Sequence, residues 1–270
     1  MNEAMGTNGS VAEVRRRIQF TLEQYFKLEA ELQKLEKDRF RVCIFGSART
    51  RPEEPVYQTV YETARMLAEL NIDIVTGGGP GLMEAANRGV FEAEGSLSQS
   101  IGLPIELPRS HELANRHLDI KSEHKRFSSR LDEFMRLSHA VIVAPGGIGT
   151  LLELVYVWQL IQVGMVSPRP VVLLGREMWA GLLEWMHGQM LGGRFISEHD
   201  FDWVHCVDQP HEALEFILPE LEKFRAVQAE RPGGEERVRE ATLMLDAIRE
   251  RQAVSRRHED PRMLSARHTG

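Results

Sequence analysis

The chain has 270 residues, 42% hydrophobic and 27% charged, with a formal net charge of −7. These values suit one large α/β domain with extensions at its ends, and the negative balance argues against non-specific binding to nucleic acid or an anionic membrane. The first ten residues lack the apolar core of a signal peptide, and no run approaches the ~20 apolar residues of a membrane span, so a cytoplasmic protein is expected.

Residues 1–10 read as disordered. From Val11 a helix is predicted, with Val11, Val14, Ile18, Tyr25, Leu28, Leu32 and Leu35 at alternating steps of three and four; Thr21 alone interrupts the seam, with Leu22 beside it. That spacing makes one narrow apolar stripe, which suits either a helix lying on its own domain or one packed on a second subunit. Residues 40–45 form a strand that runs into Gly46-Ser47-Ala48-Arg49. A helix over 55–70 carries Val56, Val60, Ala64 and Leu67 on one face. The strand at 72–75 ends in Thr76-Gly-Gly-Gly-Pro-Gly81, and Leu82 opens another helix. A third strand lies at 98–104, and residues 105–123 look irregular, a cap over the sheet edge. A helix over 124–137 leads to a strand at 139–144.

That strand feeds Pro145-Gly-Gly-Ile-Gly149, and a helix is expected from Thr150 to about Val163. Further on come a strand at 170–174, a helix at about 178–190, a strand at 203–207 and a helix at about 210–225. Arg231-Pro-Gly-Gly234 then precedes a last amphipathic helix over 235–252 and a mobile tail from Ser255. The predicted domains are therefore 1–39, 40–225 and 226–270. Apolar strands alternating with helices argue for a Rossmann-like parallel sheet with helices on both faces and extra helices at both termini. Three Gly-bearing turns, after residues 45, 76 and 144, fall at the carboxyl edge of such a sheet, where ligands bind.

A strand feeding a helix through glycines is an anion site, because the helix N-terminus offers N–H groups and a positive dipole end. Gly146, Gly147 and Gly149 permit close backbone approach, and Thr150 adds a hydroxyl. Glu153, one turn further in on the mouth side, cannot serve anion binding and so calls for another role. Several phosphate chemistries are excluded by residue type. No Lys follows these turns, as a Walker loop requires, and Gly147-Ile-Gly149 has Leu152 where a dinucleotide fingerprint needs its third glycine. Only Lys121 and Lys125 come near the site, and neither is expected at a strand end, which disfavours a pyridoxal Schiff base. Cys43 and Cys206, each in a predicted strand, read as core filling rather than a redox pair or metal site.

Pro145-Gly-Gly-Ile-Gly-Thr-Leu-Leu-Glu153 matches the PGGxGTxxE signature and resembles the LOG ("Lonely Guy") family of cytokinin riboside 5′-monophosphate phosphoribohydrolases and bacterial nucleotide nucleosidases. Supporting matches are Gly46-Ser47, residues 77–87 and residues 101–108, within a resemblance spanning about 40–220. The resemblance implies hydrolysis of the N-glycosidic bond of a nucleoside 5′-monophosphate, with Arg130 and Glu153 as the catalytic pair and no metal or cofactor. It places the phosphate on Gly146, Gly147, Gly149 and Thr150, with Ser47 and Gly79 nearby and Glu84 towards ribose or base. Relatives form homodimers or larger assemblies, and the same is expected here. Members carry a Lys after the catalytic Arg; this chain has Leu131 there. The alternative reading is a binding protein that holds a nucleotide or phosphorylated cofactor without cleaving it, as molybdenum-cofactor carriers of similar sheet do; a regulatory protein that has lost activity is a third.

Overall fold

In the computed structural model, residues 11–36, 39–106 and 113–230 are described. The described parts of residues 1–39 and of residues 40–270 form two separate compact units. The expectations for residues 1–10, for the helix over 235–252 and for the tail from Ser255 lie outside the described residues.

The first unit is helix α1 (Val11–Glu36). The second is built on seven strands: β1 (Arg41–Phe45), β2 (Asp73–Thr76), β3 (Ser100–Gly102), β4 (Ile120–Lys121), β5 (Ala140–Val143), β6 (Val171–Leu174) and β7 (Val204–Val207). They form one sheet in the order β4-β3-β2-β1-β5-β6-β7, and every pairing is parallel. Helices α2 (Pro55–Glu69), α3 (Leu82–Phe91), α4 (Phe127–Leu137), α5 (Ile148–Gln162) and α6 (Arg176–Trp185) lie between strands, and α7 (Pro210–Ala229) follows β7. The Rossmann-like expectation holds.

Alternation along each strand divides the core in two. Val42 and Ile44 of β1 join Val60, Ala64 and Leu67 of α2 and Ile217 of α7 on one face. Cys43 and Phe45 join Phe134 of α4, Leu154 and Val157 of α5 and Trp179 of α6 on the other. Both faces being covered explains why the strands read as continuous apolar runs rather than alternating ones. Cys43 is buried in the second cluster with its thiol pushed up to about 12 by burial, whereas Cys206 on the edge strand β7 is only half-buried.

Four local expectations need correction. Residues 105–123 are not wholly irregular: Ile120–Lys121 is the edge strand β4, paired with Ile101 and Gly102. Two exposed residues make no apolar run, so nothing in the pattern marks the strand. Lys121 therefore does end a strand, but its side chain is half exposed and ion-paired to Glu123 at 2.6 Å. Helix α4 starts at Phe127 rather than 124, since His124 is held in a bridge to Ile105 and Arg126 is extended. Helix α5 starts at Ile148, two residues early, so Gly149 and Thr150 lie in its first turn. The helix after β6 begins at Arg176 and continues past Trp185 as a π-helical stretch, Met186–Leu191.

Just before β5, His139 accepts a hydrogen bond from the Arg41 N–H at 3.1 Å and stacks against Phe40. Burial, with the charges of Arg169 and Arg41, lowers its pKa from 6.5 to about 4. The unfolded chain therefore takes up a proton at a pH where the fold refuses it. Stability is full above pH 6.5 and falls as the pH drops towards 4, by about 3 kcal/mol in all and about 2 kcal/mol of it between pH 7.5 and 5. Urea unfolding across that range should show this loss, and His139→Phe should flatten it; an unchanged slope would show that the ring is not the titrating group.

Candidate active site

Strand order reverses direction between β1 and β5: β2, β3 and β4 extend to one side, and β6 and β7 to the other. At such a switch point the turns leaving neighbouring strands diverge and open a crevice. The turns after β1 and β5 flank this one, and backbone hydrogen bonds stitch them together. The Ser47 N–H donates to the Pro145 carbonyl at 3.0 Å, and the Leu82 N–H donates to the Ser47 carbonyl at 2.9 Å. Gly81 is left-handed (φ +70°), and a Cβ there would stand 2.3 Å from the Ser47 carbonyl oxygen. The three Gly-bearing turns thus meet at the carboxyl edge of the sheet.

The glycines of the third turn differ in use. Gly147 is the extended N-cap of α5, and around Gly147 and Gly149 a Cβ would meet nothing within 4 Å. Their outer surfaces are open to a ligand. At Gly146 the same space is filled from within: a Cβ would lie 2.2 Å from the Thr150 hydroxyl oxygen. Gly146 therefore lets the first turn of α5 fold back on the loop, and buried Thr150 packs against it. Gly46 is similar, since a Cβ there would stand 2.8 Å from the Leu82 Cβ.

Glu153, in the second turn of α5, meets Arg130 from α4: Oε1 lies 3.5 Å from Nη1, and both side chains are close to nine-tenths buried. Arg130 also donates from Nε to the Leu103 carbonyl at 2.6 Å, and its guanidinium lies 5.1 Å from the centre of the Phe134 ring. Its head is thereby fixed from three sides, by the loop after β3, by its own helix and by α5. The carboxyl end of α4 is held as well, because Arg169 donates to the Met135 and Ser138 carbonyls and to the Ser138 hydroxyl. Such charge-assisted contacts suit an arginine at a helix C-terminus.

Gly77 sits directly under this pair: a Cβ there would fall 2.2 Å from Arg130 Nη2 and 2.7 Å from Met83 Sδ. Gly79 is buried in the same turn. Glu84 is half-buried in the first turn of α3, and its charge, after burial itself, raises the Tyr57 pKa. His124 is buried, with Nε2 2.8 Å from Glu133 Oε2 and Nδ1 3.2 Å from Ser129 Oγ. Trp158 is core, donating from its indole to the Asp200 carbonyl.

Sequence reasoning missed a buried polar network behind the second turn. Thr76 Oγ1 donates to Asn87 Oδ1, Asn87 Nδ2 donates to Ser100 Oγ, and Gly78 N–H donates to Thr76 Oγ1. Asn115 completes it, donating from Nδ2 to the Gly78 and Gly79 carbonyls and to Asn87 Oδ1, and from its own N–H to Gly78. Buried and satisfied, such a network fixes one geometry for the Gly77–Gly79 backbone. Asn87 lay within the recognised 77–87 stretch, but Asn115 sits alone among polar residues and gave no signal.

With this geometry in hand, comparison with known proteins becomes informative. A family model described as "Possible lysine decarboxylase" matches residues 83–217, half of the chain. The chain belongs to this family, the LOG family. A probable cytokinin riboside 5′-monophosphate phosphoribohydrolase of Oryza sativa subsp. japonica is 28% identical over 187 residues, covering 68% of this chain and 73% of that protein. A pyrimidine/purine nucleotide 5′-monophosphate nucleosidase of Escherichia coli K12 is 35% identical over 123 residues, covering 43% of this chain but only 26% of the nucleosidase. Among solved structures, a structural-genomics target, TM1055, matches with a TM-score of 0.52 at 22% identity, covering 67% of this chain and 99% of that one. That likeness is one of fold. Among the described side chains, Lys27, Lys121, Lys125 and Lys223 are exposed.

Proposed function

We propose that this LOG family chain hydrolyses the N-glycosidic bond of nucleoside 5′-monophosphates, releasing free base and ribose 5-phosphate. The observation that carries the reading is the Arg130–Glu153 pair, 3.5 Å apart and largely buried beside the open glycines that begin α5. The names of the rice and E. coli relatives point to the same reaction class.

The phosphate rests on the N-terminus of α5, against Gly147 and Gly149, with Gly146, Thr150, Gly46, Ser47 and Gly79 shaping the cradle. Ribose then extends towards α4 and α3, where Glu84 meets its hydroxyls. As the bond between C1′ and the base nitrogen breaks, its electron pair leaves with the base and positive charge builds on the sugar. Glu153 stabilises that charge and takes a proton from the water that adds to C1′; the departing base gains a proton from solvent. Arg130 keeps its own proton, as a guanidinium does in proteins, and acts by holding Glu153 and the sugar in place. Anchoring the remote phosphate orients the bond that breaks.

Purified protein incubated with AMP, GMP, CMP, UMP and a cytokinin riboside monophosphate should release base and ribose 5-phosphate in equal amounts from at least one of them. Folded protein that releases base from none would end the proposal. Tight nucleotide retention without turnover would instead establish a carrier.

A further inference from the structure

The apolar stripe of α1 takes no part in the catalytic reading, and its chemistry points to one occupant. Val11, Val14, Ile18, Tyr25 and Leu28 are 47–71% exposed. With Val11 at position a, the whole helix runs in heptads to Leu35 at position d. The charges flanking the stripe are segregated along the helix. Arg15 and Arg17 occupy the e and g positions of the first heptad, whereas Glu29 and Glu31 occupy those of the third.

We propose that α1 is a self-complementary dimerisation element that pairs antiparallel with α1 of a second copy of the chain. In antiparallel pairs, a positions face d positions, and e faces e while g faces g. One register uses the entire stripe: it sets Val14 opposite Leu32, Ile18 opposite Leu28 and Thr21 opposite Tyr25. That register also brings Arg15 to Glu29 and Arg17 to Glu31 of the other copy, four opposite-charge pairs in all once symmetry is applied. Parallel pairing instead sets g against the following e, which places Glu31 beside Glu36 and pairs neither arginine with an acid. Charge thus selects the antiparallel arrangement, which forms an isologous two-fold contact. Leu22, at an e position, meets its own copy near the two-fold axis. Thr21 is the one polar interruption, and its hydroxyl already donates to the Arg17 carbonyl at 2.9 Å, leaving its methyl for the seam.

Disulfide trapping in the full chain, in a Cys206→Ser background, tests both the pairing and its direction. An equimolar mixture of the Val14→Cys and Leu32→Cys chains should give a linked dimer of unlike copies under mild oxidation. Val14→Cys alone should give none, because its two sulfurs would sit about 27 Å apart along a helix of 1.5 Å rise. Arg15→Glu with Arg17→Glu should cut the yield at least about fivefold, and adding Glu29→Arg with Glu31→Arg should restore it, as exchangeable ion pairs do. No linked dimer in the mixture, linking by Val14→Cys alone, or failure of the double reversal to restore the yield would each overturn the proposal.

Discussion

Glu153→Gln is expected to lower base release by about 10³-fold or more while nucleotide affinity stays within a few-fold. The substitution keeps the shape of the side chain and removes its charge, so it separates two roles that a larger change would mix. A carboxylate acting on charge that develops at C1′ matters in the transition state and little in the ground state, and a fixed group of this kind is worth about 10²- to 10⁴-fold. In the proposed binding mode the backbone of the α5 turn holds the phosphate, so its binding would not pass through this side chain. The rival role is purely structural: Glu153 as the counter-charge of Arg130, 3.5 Å away in a largely buried setting. In that case the glutamine would free Arg130 to move, and binding and stability would fall together with activity. Titration with AMP, thermal melting and initial rates on one preparation distinguish the two. A variant that melts normally, binds normally and still releases base would remove Glu153 from the chemistry altogether.

What the sequence made legible and what it hid divide along physical lines. Strands β1, β2, β5 and β6 are buried at every residue and built around apolar residues, because burial on both faces writes itself into composition. Ile120–Lys121, by contrast, is two exposed residues at the sheet edge and carries no such mark. Arg130 and Glu153, 23 residues apart in the chain, were paired by resemblance, and the fold brings their side chains together. The groups that hold Arg130 were not legible, since the Leu103 carbonyl is backbone and any residue could supply it. Asn115 reaches the Gly78 and Gly79 carbonyls from 37 and 36 residues downstream, contacts no local pattern encodes. Glycine itself was ambiguous. Gly146 and Gly147 look alike in the signature, yet one yields space to Thr150 and the other leaves it open. Leu131, where relatives carry Lys, is buried on the core side of α4, so its position serves packing in this chain.

Gly77→Ala should cost at least about 100-fold in base release without unfolding the protein. Gly77 does not adopt a positive φ, unlike Gly78 and Gly81, so alanine brings no backbone strain and the effect is one of contact alone. The added methyl would stand 2.2 Å from Arg130 Nη2 and 2.7 Å from Met83 Sδ, closer than atoms can approach. Met83 is flexible and can yield. The guanidinium cannot yield freely, since Nε is tied to the Leu103 carbonyl and the plane lies near Phe134. It must leave one partner or the other, and a displacement of about 1 Å in a positioning group costs about 10²-fold. Overpacking should also lower stability by about 1–3 kcal/mol. If that penalty arises at Arg130, it shrinks when alanine is placed at 77 in an Arg130→Ala background, and the two substitutions become non-additive by denaturant melts. Full activity in Gly77→Ala, or an equal stability penalty in both backgrounds, would mean that the arginine head is not seated on this turn and that its hold on Glu153 comes from elsewhere.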